Sequence, residues 1–400
     1  MSDAPPPAAD PLDGGDGRLV GLVGAILFLD SAFYSALIPI LGRLSSEVHL
    51  SAREAGLLVG AYAGGMVVSA YPCSRAVARW GARNTVLGGL VGMAVACLLF
   101  ALGATLTELL IGRVLQGVAG ALTWTGGLAW LAGHTERDRR GRVLGAALGT
   151  GVFGTQAGPA LGVVSVGIGR LPTFAAGAVV CAGMLLAAAR SGPAAAPGHR
   201  GSPRSLLNLE FAAGMWLTFA PSVGLGVVDV LASLRLNGLG VPALLIGVVF
   251  FAASGLMAIA SRVTGIAIDR MGVRVPALVA AAGSSVCLVL LALGVSPLAL
   301  GVLVAVSSAL LGSLWGPSMA LLADATRQRG VDDGYAFGGF LFAWAVGFAA
   351  GAGLSGLIAS AAGGGAPYLL SAAFCVVTAA VALGANKDRG ASLAAAELRA

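Results

Sequence analysis

Charged residues are scarce in this sequence. They make up 10% of its 400 residues, whereas an average soluble domain carries about 25%. Hydrophobic residues account for 57% of the chain, and the mean hydropathy is +0.90. Apolar runs of about 20 residues, the length of helix that crosses the hydrocarbon core of a bilayer, recur from end to end. A soluble protein of this composition could not cover its surface with polar groups. The sequence therefore predicts an integral membrane protein whose partner is the lipid bilayer.

Histidine and cysteine are too few and too scattered to build a catalytic or metal site. The three histidines fall in polar segments, at His49, His134 and His199. The five cysteines lie in or beside apolar runs, and no pair has C-x-x-C spacing. No H-E-x-x-H or G-x-S-x-G string is present. We therefore expect no enzyme, no metal site and no cofactor, and we interpret the cysteines as packing residues.

The net charge of +6 comes almost entirely from arginine, since Lys387 is the single lysine. These bases are spread through short loops rather than gathered on one surface, so they do not indicate a nucleic acid partner. They do indicate orientation. With the N-terminus in the cytoplasm, nineteen basic residues lie on the cytoplasmic side and four on the outer side. We predict a multi-pass protein of the cell inner (plasma) membrane with both termini cytoplasmic.

Twelve membrane spans can be placed on the apolar runs. They are 19–41, 53–73, 85–103, 108–131, 143–168, 173–189, 210–234, 243–262, 276–295, 297–322, 336–361 and 367–384. Residues 190–209, rich in Pro, Gly and Ser, divide these spans into two groups of six. The predicted fold is an all-α membrane protein of two pseudo-symmetric six-helix bundles, 19–189 and 210–385, joined by a cytoplasmic linker. Residues 1–18 and 386–400 are predicted to be cytoplasmic tails, the first of them disordered.

A short basic loop occurs twice in the chain. The second copy contains Gly265, Asp269, Arg270, Gly272 and Arg274, and the first contains Arg79, Gly81 and Arg83. Gly81 and Gly272 are 191 residues apart, and each loop lies between two apolar spans. A duplicated loop within a duplicated bundle indicates a membrane transporter built from two related halves. We expect the loops to act in a conformational switch, because an Asp beside arginines and a helix end can latch the cytoplasmic side. The first copy has Ala78 at the place of Asp269.

The fifth span carries a row of glycines. Gly145 is followed by Gly154, Gly158, Pro159 and Gly162. Glycine at every fourth position lets a partner helix approach backbone to backbone. The proline removes one backbone hydrogen bond and permits a bend. We interpret the row as part of the conformational switch, a helix that flexes at a tight interface. The alternative is an ordinary packing face of small residues.

Asp30 lies about twelve residues into the first span, near the middle of the bilayer. A charged side chain at that depth costs about 2.5–3.5 kcal/mol on insertion scales. A carboxyl group placed there can bind a proton or a cationic ligand, but not both at full strength, and that competition is the physical basis of antiport. The alternative is a structural hydrogen bond to a neighbouring helix. Tyr34 follows one turn later on the same face, where it can stack on a cation, bond to Asp30 or simply pack.

Two more charged residues lie within spans. Arg113 is about six residues into the fourth span, from which its long side chain could reach the interface. Asp229 lies late in the seventh span. It is either a second carboxyl group on the transport pathway or the partner of Arg235.

Three of these segments together resemble the major facilitator superfamily, and in particular its twelve-span drug:proton antiporters, which include bacterial multidrug exporters and vesicular amine transporters. The segments are the span-5 string from Gly154 to Gly162, the string Ile111-Gly-Arg113-Val-Leu-Gln116-Gly117, and Leu29-Asp30 followed by Pro39. The resemblance covers about residues 19–385. It implies two bundles that give alternating access to a central site. It also implies that Arg113, set beside Gln116, acts in proton coupling or helix pairing. Members of the resembled family are often monomeric, so a monomer is expected.

The resemblance also implies which aromatic residues line the central cavity, because spans 1, 4, 7 and 10 face it in the family fold. With the aromatic residue of span 11 added, they are Phe33, Trp124, Trp216, Trp315 and Trp344. The implied function is proton-coupled export of small amphipathic molecules, often cationic. The alternative with the same fold is an importer or facilitator of sugars, or of organic anions neutralised by Arg113.

Overall fold

Long apolar runs form long helices here, because a chain in lipid must satisfy its backbone hydrogen bonds internally. The computed structural model describes residues 15–135, 137–192, 208–331 and 334–384. These residues form thirteen helices: α1 Gly15–Glu47, α2 Ala52–Trp80, α3 Ala82–Leu102, α4 Leu106–His134, α5 Arg137–Ile168, α6 Arg170–Arg190, α7 Leu209–Gly238, α8 Ala243–Met271, α9 Arg274–Ala292, α10 Pro297–Ser313, α11 Trp315–Gln328, α12 Gly334–Ala362 and α13 Ala366–Gly384.

The thirteen helices make twelve spans, because α10 and α11 together form one span that is broken at Leu314. Eleven spans combine sufficient length with strongly apolar composition. The remaining helix, α4, has the length, but it carries Arg113 and Gln116 among its apolar residues. Ten of the twelve predicted spans lie within one helix or the α10–α11 pair, and the other two, 85–103 and 276–295, run one and three residues past the ends of α3 and α9. The predicted all-α membrane architecture is confirmed.

The first helix begins earlier than predicted. It starts at Gly15, so residues 15–18 of the predicted disordered tail are helical. A helix already nucleated by an apolar run extends at little cost by one turn. Most of the predicted linker, residues 193–207, residues 1–14 of the first predicted tail and the whole second tail, 386–400, lie outside the described residues, as does residue 385 at the end of the second predicted bundle.

The duplicated loops fold into the same turn. Gly81 follows α2 with φ +81° and ψ 157°, and Gly272 follows α8 with φ +78° and ψ 177°. Each donates its backbone N–H to the carbonyl oxygen four residues earlier, on Val77 or Ile268. Glycine adopts this backbone conformation freely, whereas other residues are strained in it. The sequence repeat is therefore also a structural repeat.

Gly81→Ala is expected to lower the free energy of unfolding by about 1–3 kcal/mol, because alanine is strained at this φ and ψ. The control is Gly88→Ala in the middle of α3, where an added Cβ would meet nothing within 4 Å. Thermal unfolding in detergent, followed by circular dichroism, measures both effects. Equal stability of the two variants would contradict the expectation.

The two halves of the molecule are α1–α6 and α7–α13, and they meet mainly through α2 with α12, α5 with α8 and α1 with α7. Consecutive spans alternate in direction, so the turns at Gly81 and Gly272 lie at one end of the bundle, here named the motif end. The opposite end holds the starts of α2 and α8 and the ends of α1 and α7. It is here named the sealed end.

Glycines bring the two halves into backbone contact at the sealed end. A Cβ on Gly56 of α2 would lie 2.6 Å from the carbonyl oxygen of Ala352, and one on Gly60 would lie 2.9 Å from a backbone nitrogen of the same helix, α12. Ser233 of α7 donates a hydrogen bond of 2.7 Å to the carbonyl oxygen of Ile38 in α1. Helix backbones approach this closely only where a side chain is missing. The halves are therefore closed on each other at this end.

Two of the four arginines predicted on the outer side bind helix C-termini at the sealed end. Arg170 donates to the carbonyl oxygen of Gly103 at 2.5 Å, and Arg235 donates to that of Leu291 at 3.2 Å. A cation at a helix C-terminus is favoured by the helix dipole and by the free carbonyl groups there. These bases therefore have a structural use where positive charge is otherwise sparse.

Candidate functional site

Asp30 lies halfway along α1 and is only 1% exposed. Its Oδ2 atom accepts hydrogen bonds from the Tyr62 hydroxyl of α2 and from Trp124 Nε1 of α4, both at 2.8 Å. Its Oδ1 atom has no hydrogen-bond partner among the described residues. Two aromatic donors from neighbouring helices therefore hold one oxygen of the acid, and the other oxygen is left without a donor.

Glycines of α4 make room for this acid. A Cβ on Gly120 would lie 3.0 Å from both carboxyl oxygens of Asp30 and 3.0 Å from the Tyr62 hydroxyl. A Cβ on Gly117 would overlap the carbonyl oxygen of Tyr62. The backbone of α4 therefore packs directly on α1 and α2. The small residues that follow Arg113 in the sequence are what allow the acid to sit at this crossing.

Arg113 is 2% exposed, so its side chain does not reach the interface. Its Nη1 donates to Gln116 Oε1 at 2.7 Å, and its Nη2 donates to the carbonyl oxygen of Tyr34 at 3.4 Å. The guanidinium carbon lies 5.3 Å from the centre of the Tyr62 ring and 5.8 Å from that of Tyr34, within the range of cation–π attraction. Arg113 and Asp30 form no ion pair in the described chain. Tyr62 connects them, because its hydroxyl binds the acid and its ring faces the base.

A cavity of about 150 Å³ lies between the two halves. Tyr62 and Trp124 line it, whereas Asp30 lies behind them and does not. The other polar or aromatic side chains on its wall are Ser31, Tyr34, Ser35, Thr155, Asp229, Phe250, Ser254, Ser308, Trp315, Phe340, Trp344 and Phe348. Among the described lining residues, Asp229 alone carries a charge-bearing side chain.

An aromatic cluster crosses from one half to the other at the cavity. The rings of Tyr34 and Tyr62 stack with centres 4.6 Å apart, and those of Trp344 and Phe348 stack at 5.5 Å. Tyr34 meets Trp344 and Phe348 edge-on at 5.6 and 5.4 Å. Helices α1 and α2 of one half thus contact α12 of the other through ring faces and edges. The cavity wall at this point is apolar and rich in π-electrons.

Asp229 lies on the cavity wall in α7 and is half-buried. It has no hydrogen bond or ion pair within the described residues. Arg235, the alternative partner considered from the sequence, instead donates to Leu291. Across the same cavity, Trp315 Nε1 is a buried donor without a partner in the described chain. The cavity therefore offers an acid at Asp229 and a buried unpaired donor at Trp315 Nε1, beside the hydroxyl groups of its serine, threonine and tyrosine residues.

Two of the five predicted cavity residues lie elsewhere. Phe33 points into the N-terminal half, where its ring contacts Phe174 of α6 at 5.5 Å. Trp216 packs on α13, with its Nε1 donating to Thr378 at 3.1 Å. The prediction was wrong for these two because a whole span was taken to face the cavity, whereas only one face of a helix does so. Trp124, Trp315 and Trp344 do line the cavity.

The glycine row of α5 packs against α1. A Cβ on Gly154, Gly158 or Gly162 would overlap a carbonyl oxygen of α1, whereas a Cβ on Gly145 would meet nothing within 4 Å. Pro159, inside the helix, lines the cavity. In this structure the row acts as a packing face, and its part in a conformational switch stays a prediction.

The basic loop residues lie at the motif end and are mostly exposed, as Arg79, Asp269, Arg270 and Arg274 show. Arg83 instead donates its Nε to the carbonyl oxygen of Ala188 at 3.1 Å, which ties the start of α3 to the end of α6. Asp269 has no ion pair or hydrogen bond within the described chain. The predicted latch of charges around Asp269 is therefore not formed among the described residues in this arrangement of the helices, and the part of the loops in a conformational switch stays a prediction. Gly265, within α8, also faces open space.

Sequence reasoning missed Tyr62, which is as central to the site as Asp30. The two are 32 residues apart on different helices, and no spacing rule connects them. The available signal was a tyrosine near the middle of a predicted span, because a hydroxyl in lipid needs a hydrogen-bond partner.

The sequence profile of the Major Facilitator Superfamily matches residues 23–331. Among curated proteins, the MFS-type transporter ppzB of Metarhizium rileyi is 32% identical over 162 residues, which are 39% of this chain and 34% of that protein. Multidrug resistance protein 1 of Bacillus subtilis is 31% identical over 156 residues, which are 38% of this chain and 39% of that protein. The matched segments thus span about a third to two fifths of these relatives.

Solved structures of a bacterial homologue of the human lysosomal transporter Spinster have a similar fold. The inward-facing, occupied form gives a TM-score of 0.78 at 12% identity, covering 93% of this chain and 97% of the other. The inward-facing, unoccupied form gives 0.77 at 13% identity over the same shares. At such identities the likeness shows the fold alone, which is the arrangement of spans described above.

Proposed function

The chain belongs to the major facilitator superfamily, and from that premise we propose that it is a proton-coupled exporter of small amphipathic molecules, often cationic. Members of this superfamily are membrane transporters of small molecules, so the chain is a transporter and not an enzyme. The coupling ion, the direction and the cargo class are the proposal. A monomeric state and a place in the plasma membrane are also part of the proposal. So is the cytoplasmic position of both termini, which the arginine distribution supports.

One observation carries the proposal: a buried acid is hydrogen-bonded to two side chains that line a cavity between the halves. Asp30 accepts from Tyr62 and Trp124, and both of these side chains line the cavity. A change in the charge of Asp30 is therefore felt directly by the surface that cargo touches. Structural use alone would not require an ionisable group here, because a neutral acceptor could bind the same two donors.

Protonation of Asp30 changes these contacts in a defined way. The ionised carboxylate accepts two charge-assisted hydrogen bonds on Oδ2, and such bonds are roughly twice as strong as neutral ones. A proton placed on Oδ1, which has no partner in the described chain, removes the charge and weakens the hold on Tyr62 and Trp124. Two positions of the cavity wall are thereby released together, which supports a rocking motion of the halves about the site.

The position of Arg113 argues against the alternative of an organic-anion carrier. Arg113 lies outside the central cavity, behind Tyr34 and Tyr62. It lines a separate space of about 10 Å³, which holds at most about one water molecule. An anionic cargo in the central cavity would meet Asp229 and no base among the described lining residues. Charge complementarity therefore favours cations.

Transport by purified protein in liposomes tests the proposal. An imposed pH gradient is expected to drive the cation ethidium against its concentration gradient, with a proton flux in the opposite direction reported by an internal pH dye. Fluorescein-type anions and sugars are expected to give no gradient-driven flux. Ethidium flux that ignores the pH gradient, or preferred transport of anions or sugars, would reject the proposal.

A further inference from the structure

We propose that Asp229 binds the positive charge of the cargo, so that proton and cargo are held by two different carboxyl groups. The inference rests on the proposed function. Instead of proton and cargo competing for Asp30, the N-terminal half binds the proton and the C-terminal half binds the cargo. Asp30 belongs to α1 of the N-terminal half, and Asp229 belongs to α7 of the C-terminal half.

The two acids differ in what surrounds them. Asp30 is 1% exposed, and two hydrogen bonds of 2.8 Å already occupy one of its oxygens. Asp229 is half-buried on the cavity wall and has no hydrogen bond or counter-ion in the described chain. A carboxyl group on this wall without a protein partner keeps its charge only where water or an entering cation stabilises it, and otherwise it takes up a proton. The structure thus leaves the charge of Asp229 to be matched from outside the chain.

Cargo in the cavity cannot reach Asp30 without moving a side chain. Tyr62 and Trp124 lie between that acid and the cavity. Gly120 closes its other side, where an added Cβ would lie 3.0 Å from both carboxyl oxygens. A proton is small enough to reach an acid enclosed in this way, whereas an organic cation is not. Direct contact with the cargo therefore falls to the acid on the open wall.

The wall around Asp229 indicates the chemical class of the ligand. The aromatic cluster of Tyr34, Trp344 and Phe348 presents ring surfaces to the same cavity, and ring faces attract cations. Trp315 Nε1 adds one free donor that suits an acceptor atom of the ligand. One acid, ring faces and no base among the described lining residues fit a monovalent lipophilic cation, such as a protonated amine or a quaternary ammonium or phosphonium ion.

Equilibrium binding to the full chain in detergent tests the inference apart from transport. The probes are tetraphenylphosphonium and the neutral triphenylphosphine oxide, measured by tryptophan fluorescence quenching and calorimetry at one fixed pH. Asp229→Asn is expected to weaken the affinity for the cation by about tenfold or more and to leave the neutral probe within about twofold. Asp229→Glu is expected to restore most of the affinity, and Asp30→Asn to weaken it less than Asp229→Asn does. Glu47→Gln, an exposed acid of α1 paired with Arg43, is the charge-matched control.

Several outcomes would overturn the inference. They are unchanged cation affinity in Asp229→Asn, equal losses for the charged and neutral probes, a larger loss in Asp30→Asn, or no cation binding by the wild-type chain. Size-exclusion elution and thermal unfolding show that each variant is folded. Failure of the proposed function looks different: the chain would bind the cation through Asp229, but its flux in liposomes would ignore the pH gradient.

Discussion

Asp30→Asn is expected to reduce pH-driven export to the background of empty liposomes, while the protein still folds and inserts. The amide has the shape of the carboxyl group, and its oxygen can accept the hydrogen bonds of Tyr62 and Trp124. Packing against Gly120 is unchanged for the same reason. What is lost is the ability to bind and release a proton. Flux of ethidium and of protons in liposomes measures the effect, and thermal unfolding in detergent confirms the fold.

Tyr62→Phe is the graded companion of this variant. It removes one of the two donors to Asp30 but keeps the aromatic ring, so export is expected to fall only in part. Glu47→Gln, far from the acid at the sealed end, is expected to transport normally. Wild-type rates of pH-driven export by Asp30→Asn would remove this residue from the mechanism.

Gly158→Ala is expected to lower the stability of the protein by about 1–3 kcal/mol or more and to impair transport. Its Cβ would overlap Ser35 and lie 2.6 Å from the carbonyl oxygen of Ala32, so α1 and α5 would have to separate. Overpacking of a close helix contact has a cost of this size. Because α1 also carries Asp30, displacement of this helix disturbs the site as well. Thermal unfolding in detergent and flux in liposomes measure the two effects.

The matched control is Gly145→Ala on the same helix. A Cβ there meets nothing within 4 Å, and alanine is the better helix former by about 1 kcal/mol. This variant is expected to be as stable as the parent or more so. Equal losses in Gly145→Ala and Gly158→Ala would show that glycine itself, rather than close contact with α1, explains the row.

The arrangement of spans was predictable because it depends on local sequence. A run of apolar residues in lipid has to become a helix, and short polar segments mark the turns between helices. The repeated basic loop predicted that the two halves are related, and the similar backbone angles of Gly81 and Gly272 agree with this. Only α4 falls short of the hydropathy of the other described spans, and its sequence includes Glu108, Arg113 and Gln116.

The direction in which each side chain points was less predictable, because the side chains of adjacent residues on a helix point about 100° apart around its axis. Phe33 and Tyr34 are adjacent in sequence, yet the first contacts α6 and the second lines the cavity. Trp216 and Asp229 share α7, but thirteen residues along a helix is a displacement of about 20 Å. The hydropathy of a span shows neither which face of the helix is turned toward the cavity nor how far along the helix the cavity lies.

The partners of the buried acid could not be predicted from one sequence. Asp30 draws its hydrogen bonds from α2 and α4, and these contacts depend on how glycines of α4 let three helices cross. Tyr62 lies between Asp30 and Arg113, with its hydroxyl bonded to the acid and its ring facing the base.

The closure between the halves at the sealed end has a consequence for how ionic strength affects the transporter. Its described contacts include glycine backbones against helix α12, Gly42 of α1 against Asn237 of α7 and a hydrogen bond from Ser233, and Arg43 pairs with Glu47 of its own helix. Dissolved ions screen attraction between charges, but they leave van der Waals contact nearly untouched. Parting of the halves at this end is therefore insensitive to added salt. A transporter of this construction would keep this closure in dilute and in saline surroundings alike.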